Sequence, residues 1–289
     1  MDWITSFVRM TNSYQSRAQQ AFNRLRGKVL GGPHSSLEAL RARMFDGTDR
    51  YGTKEMCGPF TVTINDGPNF YVCYKDIFVG GIYAFSTETD RPRVIDCGSN
   101  IGVSILYFKY HYPTANVLGF EPDPKILPLL RQTLAENALT DVEVVEAAVA
   151  GKPGQMDFFM DGKYGSTLFA DAAKHDGHDR PVISVPTVPL ADYLNESIDL
   201  LKMNIEGAEW PVLQAAESKI RQVREIIIEY HHLPGLPRTL HDILALLHRN
   251  GFEYLINDYD PSINPGTQPP FRLDSNSRYF LLIYARRVS

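Results

Sequence analysis

From Arg91 onward, short apolar runs of strand length alternate with amphipathic stretches of about 10 to 15 residues, a pattern that leaves few architectures open. Strands that alternate with helices build a mostly parallel sheet with helices on both faces, because each parallel connection must cross over the sheet. RVIDC (93–97) reads as the first strand and Ile101 to His111 as a helix closed by Pro113. NVLGFE (116–121) is the second strand, followed by a helix that Asp123 caps and Pro124 opens, with Pro128 delaying its start by one turn. Further strands are expected at VEVVEAAVA (142–150), GQMDFFMD (154–161), IDLLKMNIE (198–206) and EIIIEYHH (225–232), with ISVPTVPLADYL (183–194) a looser stretch. Helices are expected at 211–220 and at 240–250, the latter ended by Gly251. FEYLIN (252–257) and RYFLLIYARR (278–287) follow each other without a helix between them, which predicts an antiparallel pair at one edge.

The residues before Arg91 follow no such rhythm. A helical appendage is expected to about Met44, broken near Gly31-Gly32-Pro33, its basic side chains Arg17, Arg24, Arg26 and Lys28 forming a solvated face or, alternatively, meeting an acidic surface. In PFTVTINDGPNFYVCYKD (59–76), two alternating runs flank Asn65-Asp66-Gly67-Pro68 and read as a β-hairpin. The chain therefore divides into an N-terminal extension, 1–90, and a main domain, 91–289.

Composition narrows the function. With 29 Lys+Arg against 34 Asp+Glu the formal net charge is −5, which argues against nucleic-acid binding through bulk positive charge. No apolar run approaches the roughly 18 residues of a membrane helix, and the first residues lack the pattern of a secretory signal. Cys57, Cys73 and Cys97 form neither a CxxC pair nor an even set, so no cysteine metal site is expected and the cytoplasm is the expected location.

Ligands of doubly wound sheets bind outside the carboxyl ends of the strands. After the first strand comes Asp96-Cys97-Gly98-Ser99-Asn100-Ile101-Gly102, whose glycines allow a sharp turn and close approach of a ligand. Asn100 stands where a dinucleotide fingerprint has its second glycine, so a nicotinamide-dependent oxidoreductase is disfavoured. The second strand ends at Glu121, 25 positions after Asp96, where a carboxylate can accept both hydroxyls of a ribose.

VIDCGSNIGVSILYF, GFEPDP, EAAVAGKPG, the YGSTL segment and above all DLLKMNIEGAEWPVL resemble the FkbM-type family of class I S-adenosylmethionine-dependent methyltransferases. The resemblance implies a Rossmann-like seven-stranded sheet with an antiparallel C-terminal edge strand, and methyl transfer to a hydroxyl of a sugar, polyketide or similar small metabolite. It also implies S-adenosylmethionine as cofactor, with Asp96, Gly98, Ser99, Asn100 and Gly102 around its methionine part. Glu121 and Pro122 would lie at the ribose, Glu146, Ala147 and Ala148 near the adenine, and Asn204 beside the methyl group.

On the acceptor side, strand alternation would place Lys202, Asn204 and Glu206 on one face, and Glu229 and His231 on another strand's rim with the same facing. Lys202 reads equally as a structural lysine paired with an acid inside the sheet. Many family members have Asp at Asn204, and an amide is a poor ligand for a hard cation, so a divalent cation is disfavoured. His231 or Glu229 would act as base, His232 would point away, and Glu209 would face solvent or cap the next helix. His175 and His178, beside Asp176 and Asp179, read as a solvated loop, while Phe78, Tyr83, Trp210 and Phe271 are candidates for a pocket wall. Expected partners are a small hydroxylated acceptor, no nucleic acid and no membrane, with a homodimer left open. A fold that binds the cofactor without turnover is the other reading, and Asn204 feeds it.

Overall fold

The computed structural model describes residues 37–160, 181–258 and 277–288. Helix α1 (Leu37–Met44) leads into an antiparallel pair, β1 (Lys54–Cys57) and β2 (Phe60–Thr63). The hairpin expected around Asn65–Pro68 does not form. β2 ends there, and residues beyond it are helical: α2 (Gly67–Cys73) continues into a π-helical turn over Tyr74–Val79. The Asp66 carboxylate accepts the Asn69 N–H at 2.9 Å and Pro68 sits in the first turn, both of which favour a helix start. Phe70, Tyr74 and Phe78 recur every four residues, and their rings follow one another at centroid distances of 5.9 Å. A spacing of four puts residues on one face of a helix and, being even, on one face of a strand too, so the pattern alone misleads.

The main sheet has seven strands: β3 (Arg93–Cys97), β4 (Asn116–Phe120), β5 (Val142–Val145), β9 (Ile198–Met203), β10 (Val223–His232), β11 (Phe252–Asp258) and β12 (Tyr279–Arg287). Their order is β11-β12-β10-β9-β3-β4-β5, with β12 antiparallel to both neighbours and the remaining pairs parallel. The expected antiparallel pair thus forms the edge, its reversed strand seated second. The stretch 142–150 splits at Glu146-Ala147, and its second half, β6 (Ala148–Ala150), joins β7 (Gly154–Phe159) and β8 (Val182–Pro189) in a separate three-stranded sheet.

Both faces of the main sheet are covered. Leu200 and Ile227 pack with residues of α3 (Val103–His111) and α4 (Leu127–Glu136), while Leu201 and Ile226 face α5 (Glu209–Ala216) and α6 (Leu240–Arg249). Such strands carry continuous apolar runs because neither face meets water. The start of α4 one turn beyond Pro124 follows Pro128, and the Asp123 carboxylate caps the intervening turn by accepting the Lys125 N–H at 2.8 Å. Residues 37–80 pack on the α3–α4 face: the Thr133 hydroxyl accepts the Thr63 N–H at 3.0 Å, and Asn137 accepts from Thr61 N–H and donates to its carbonyl. Among the described residues no helix is long and apolar enough to cross a membrane. The basic patch at 17–28, the segment with His175 and His178, YGSTL and Phe271 lie outside the described residues.

Candidate active site

The carboxyl ends of β3, β4, β9 and β10 open on one cavity of about 570 Å³. At β3 the chain turns through Gly98 at φ +85°, where an added Cβ would stand 2.0 Å from the Asn204 carbonyl oxygen, so only glycine lets the loop pass the end of β9. Asn100 follows in the left-handed region at φ +47°, and its N–H donates to Glu121 at 2.8 Å. The other Glu121 oxygen accepts the Asp123 N–H at 2.9 Å. Burial pushes this carboxyl up to about 7, against the pull of those two N–H groups. Ser99, Pro122, Ala147 and Ala148 join Gly98, Asn100 and Glu121 in the cavity wall.

Three residues expected at the cofactor sit elsewhere. Asp96 points beneath the glycine loop, fully buried, its carboxylate 2.9 Å from the Lys202 ammonium and accepting the Ser104 hydroxyl at 2.6 Å. Gly102 packs against Leu130 as the left-handed residue before α3, and half-exposed Glu146 pairs with Arg131. Lys202 reaches the cavity wall while paired: besides Asp96 it donates to the Gly98 carbonyl at 2.7 Å and lies 5.2 Å from the Tyr83 ring centroid. A lysine so engaged fixes the loop from below.

On the β9–β10 side stand Asn204, whose carbonyl abuts Gly98, and Glu206, Glu229 and His231. β9 stops at Met203, so Glu206 reaches the cavity through a left-handed backbone at φ +52° and not through strand alternation. Glu229 and His231 do share a face of β10, and His232 turns away to pack on Tyr279, ring centroids 4.8 Å apart. Tyr83 donates its hydroxyl to Glu229, whose carboxyl burial raises above its ordinary range. Glu209 is neither solvent-facing nor a simple cap: buried to 1% exposure, it lies 3.0 Å from His231 Nδ1 and accepts the Gly207 N–H at 3.1 Å. His231 Nε2 lies 3.6 Å from Glu206. Burial alone would lower the imidazolium's pKa, but Glu206, Glu209 and Glu229 outweigh it and raise it to about 9.

The residues that sequence reasoning missed come mainly from two places. Asn69, Cys73 and Ile77 on α2 and its π turn line the cavity, hidden by the strand reading of that segment. Phe280 lines it from β12, where it pairs with His231 in register, a neighbour that only strand order reveals. Burial pushes the Cys73 thiol up to about 12, so it serves as wall and not as nucleophile. Of the expected aromatic wall, Tyr83 lines the cavity while Phe78 and Trp210 pack in the core. Among the described residues no group of three or more His, Cys, Asp or Glu is arranged to hold a metal ion.

A glycine loop at the first strand, a buried acid at the second and a polar rim on β9–β10 share one cavity, and residues 96–254, more than half of the chain, match the Methyltransferase FkbM domain. The chain belongs to this methyltransferase family. Methyltransferase sdnD of Sordaria araneosa is 29% identical over 212 residues, covering 62% of this chain and 81% of its own length. The 31-O-demethyl-FK506 methyltransferase FkbM of Streptomyces tacrolimicus is 27% identical over 221 residues, 65% of this chain and 83% of that one. The 2-O-methyltransferase NoeI of Sinorhizobium fredii is 29% identical over 160 residues, 50% and 65% respectively. The crystal structure of a methyltransferase FkbM from Methylobacillus flagellatus KT overlaps with a TM-score of 0.45 at 15% identity, over 86% of this chain and 57% of that one.

Proposed function

We propose that the protein moves a methyl group from S-adenosylmethionine to a hydroxyl oxygen of a small acceptor. The observation that carries the reading is the pairing, in one cavity, of the Gly98–Glu121 end with the Glu206–Glu229–His231 end. The volume of about 570 Å³ falls within the range of small-molecule sites, roughly 300–1,000 Å³. The residues present fit the cofactor: the bare Gly98 backbone leaves room for a methionine moiety, and Glu121, with each oxygen holding one backbone N–H, keeps lone pairs for ribose hydroxyls. Once bound, S-adenosylmethionine supplies an electrophilic methyl group on a sulfonium.

The work left to the chain is mostly alignment. Asn204 and Glu206 would orient the acceptor, and His231 would take the hydroxyl proton at Nε2. With a pKa raised to about 9, His231 is mostly protonated at neutral pH, and a positive charge brought into the cavity favours the neutral imidazole that a base requires. Two of the relatives are named for O-methyl chemistry, which supports oxygen as the accepting atom. The face of α2 and its π turn bearing Asn69, Cys73 and Ile77 would then select the acceptor's shape.

Calorimetry with S-adenosylmethionine, followed by release of S-adenosylhomocysteine over a panel of hydroxylated compounds with NMR of the product, tests the reading. Binding and a new methyl ether are expected. Failure to bind, or a methyl group found on nitrogen or carbon, overturns it.

A further inference from the structure

We propose that Glu209 is a positioning residue for His231, fixing the proton on Nδ1 and turning Nε2 toward Glu206 and the cavity. The catalytic consequence rests on the methyl-transfer reading; the positioning itself does not. Glu209 opens α5 with its carboxylate 3.0 Å from Nδ1. It is brought back to the site by two successive left-handed residues, Glu206 at φ +52° and Gly207 at φ +98°. The Gly207 N–H, 3.1 Å away, anchors the same Glu209 oxygen from behind, so the carboxylate cannot swing off the ring. The Phe280 ring meets the imidazole near edge-on at 5.0 Å, which limits its rotation. Nε2 is then the one ring nitrogen directed to the cavity, and its 3.6 Å separation from Glu206 is too long for a hydrogen bond. A hydroxyl reaching this pair from the cavity could donate its proton to Nε2 once the imidazole is neutral.

The charged groups that act on the ring are Glu206 from the turn after β9, Glu209 from α5 and Glu229 from β10, while Lys202 from β9 and Asp76 from the π turn act on Glu229. Arg278 stands beyond Phe280, 5.1 Å over its ring. Glu209 is distinguished from the other acids by its place: it touches Nδ1, lies outside the cavity lining and is almost fully buried. Which imidazole nitrogen keeps its proton is set by the hydrogen bond the other makes.

¹⁵N NMR of the histidine-labelled full chain, with the His231 signals assigned by their loss in His231→Gln, reads this directly. In the wild type above pH 10 the proton should remain on Nδ1, although a free histidine side chain prefers Nε2. Glu209→Gln should bring the His231 pKa from about 9 toward 6.5 and lower kcat by about 10²-fold, while Glu209→Leu, which offers Nδ1 no acceptor, should release the tautomer. The Kd for S-adenosylmethionine should stay within about twofold, and Glu209→Asp should restore the tautomer in part. An Nε2–H tautomer in the wild type, or a Glu209→Gln protein that titrates as the wild type does, overturns the proposal. Should Glu209→Gln not fold, the wild-type tautomer decides alone. An Nδ1–H tautomer in a protein that fails to bind S-adenosylmethionine leaves the positioning intact and removes the methyl-transfer reading instead.

Discussion

The two ends of the cavity bury acids in opposite ways. At the tip of β4, Glu121 is held by backbone N–H groups of Asn100 and Asp123, and burial lifts its carboxyl to about 7. At the tip of β10, the carboxylates of Glu206, Glu209 and Glu229 surround His231 and lift its pKa to about 9. Fixed dipoles hold the acid in place without a matching charge, so it can become neutral near physiological pH. Side-chain acids instead hold a proton on their neighbour. Both ends are enabled as pH rises, so activity should increase through about 7 and again toward the His231 titration, which a bound cationic cofactor draws below 9.

The harshest way to break this contrast is Gly98→Ala. A methyl group 2.0 Å from the Asn204 carbonyl, on a backbone at φ +85°, combines overpacking with strain of about 1–3 kcal/mol each. A large fall in Tm by calorimetry and loss of S-adenosylmethionine binding are expected, and both ends should fail together because the loop abuts both.

Glu121→Gln separates the ends. At pH 8 the Kd for S-adenosylmethionine should weaken about 10- to 10²-fold, as loss of a charged hydrogen-bond acceptor implies. The wild type should show the same weakening as pH falls through about 7, whereas the variant should not. Stability runs the other way. Because the folded pKa of Glu121 is raised above 4.5, its contribution is complete below 4.5 and is lost as pH rises through about 7. His231, raised above 6.5, contributes fully below 6.5 and loses its contribution as pH rises through about 9. The Tm difference between wild type and each of Glu121→Gln and His231→Gln, followed from pH 4 to 10, should therefore change in two separate windows; a single shared window would collapse the distinction.

The smallest effect is expected from Tyr83→Phe, which deprives the buried Glu229 carboxylate of a hydroxyl donor. A loss of about 1–3 kcal/mol in denaturant unfolding, with cofactor affinity nearly unchanged, would confine Tyr83 to the acceptor end.

Much of this was legible because the strand–helix rhythm places loops before any contact is known. Gly98, Glu121, Asn204, Glu229 and His231 all follow from asking what stands at a strand's carboxyl end, and all five line the cavity. What stayed hidden depended on long-range geometry. Asp96 immediately precedes the glycine loop, but its side chain turns beneath it to meet Lys202, its register partner on the neighbouring strand. Glu209 looked like a helix-start acid until the turn through Glu206 and Gly207 folded it back on His231. The Asn65-Asp66-Gly67-Pro68 turn signal between two β-prone runs concealed the helix that lines the cavity. Pro186 and Pro189 made β8 look like loop, although it lies at the centre of a small sheet with both neighbours paired.

The reversed strand β12 has a consequence for the life of the molecule. Of the seven strands it is synthesised last, yet it inserts between β10 and β11, setting Phe280 opposite His231 and Leu282 opposite Glu229. While the ribosome still holds that segment, β10 presents an open edge and the active site lacks a wall. A nascent chain can build its glycine loop early but gains a finished acceptor side only on delivery of its final strand. Chains cut short before Tyr279 should accordingly be inactive and prone to pair with one another along β10.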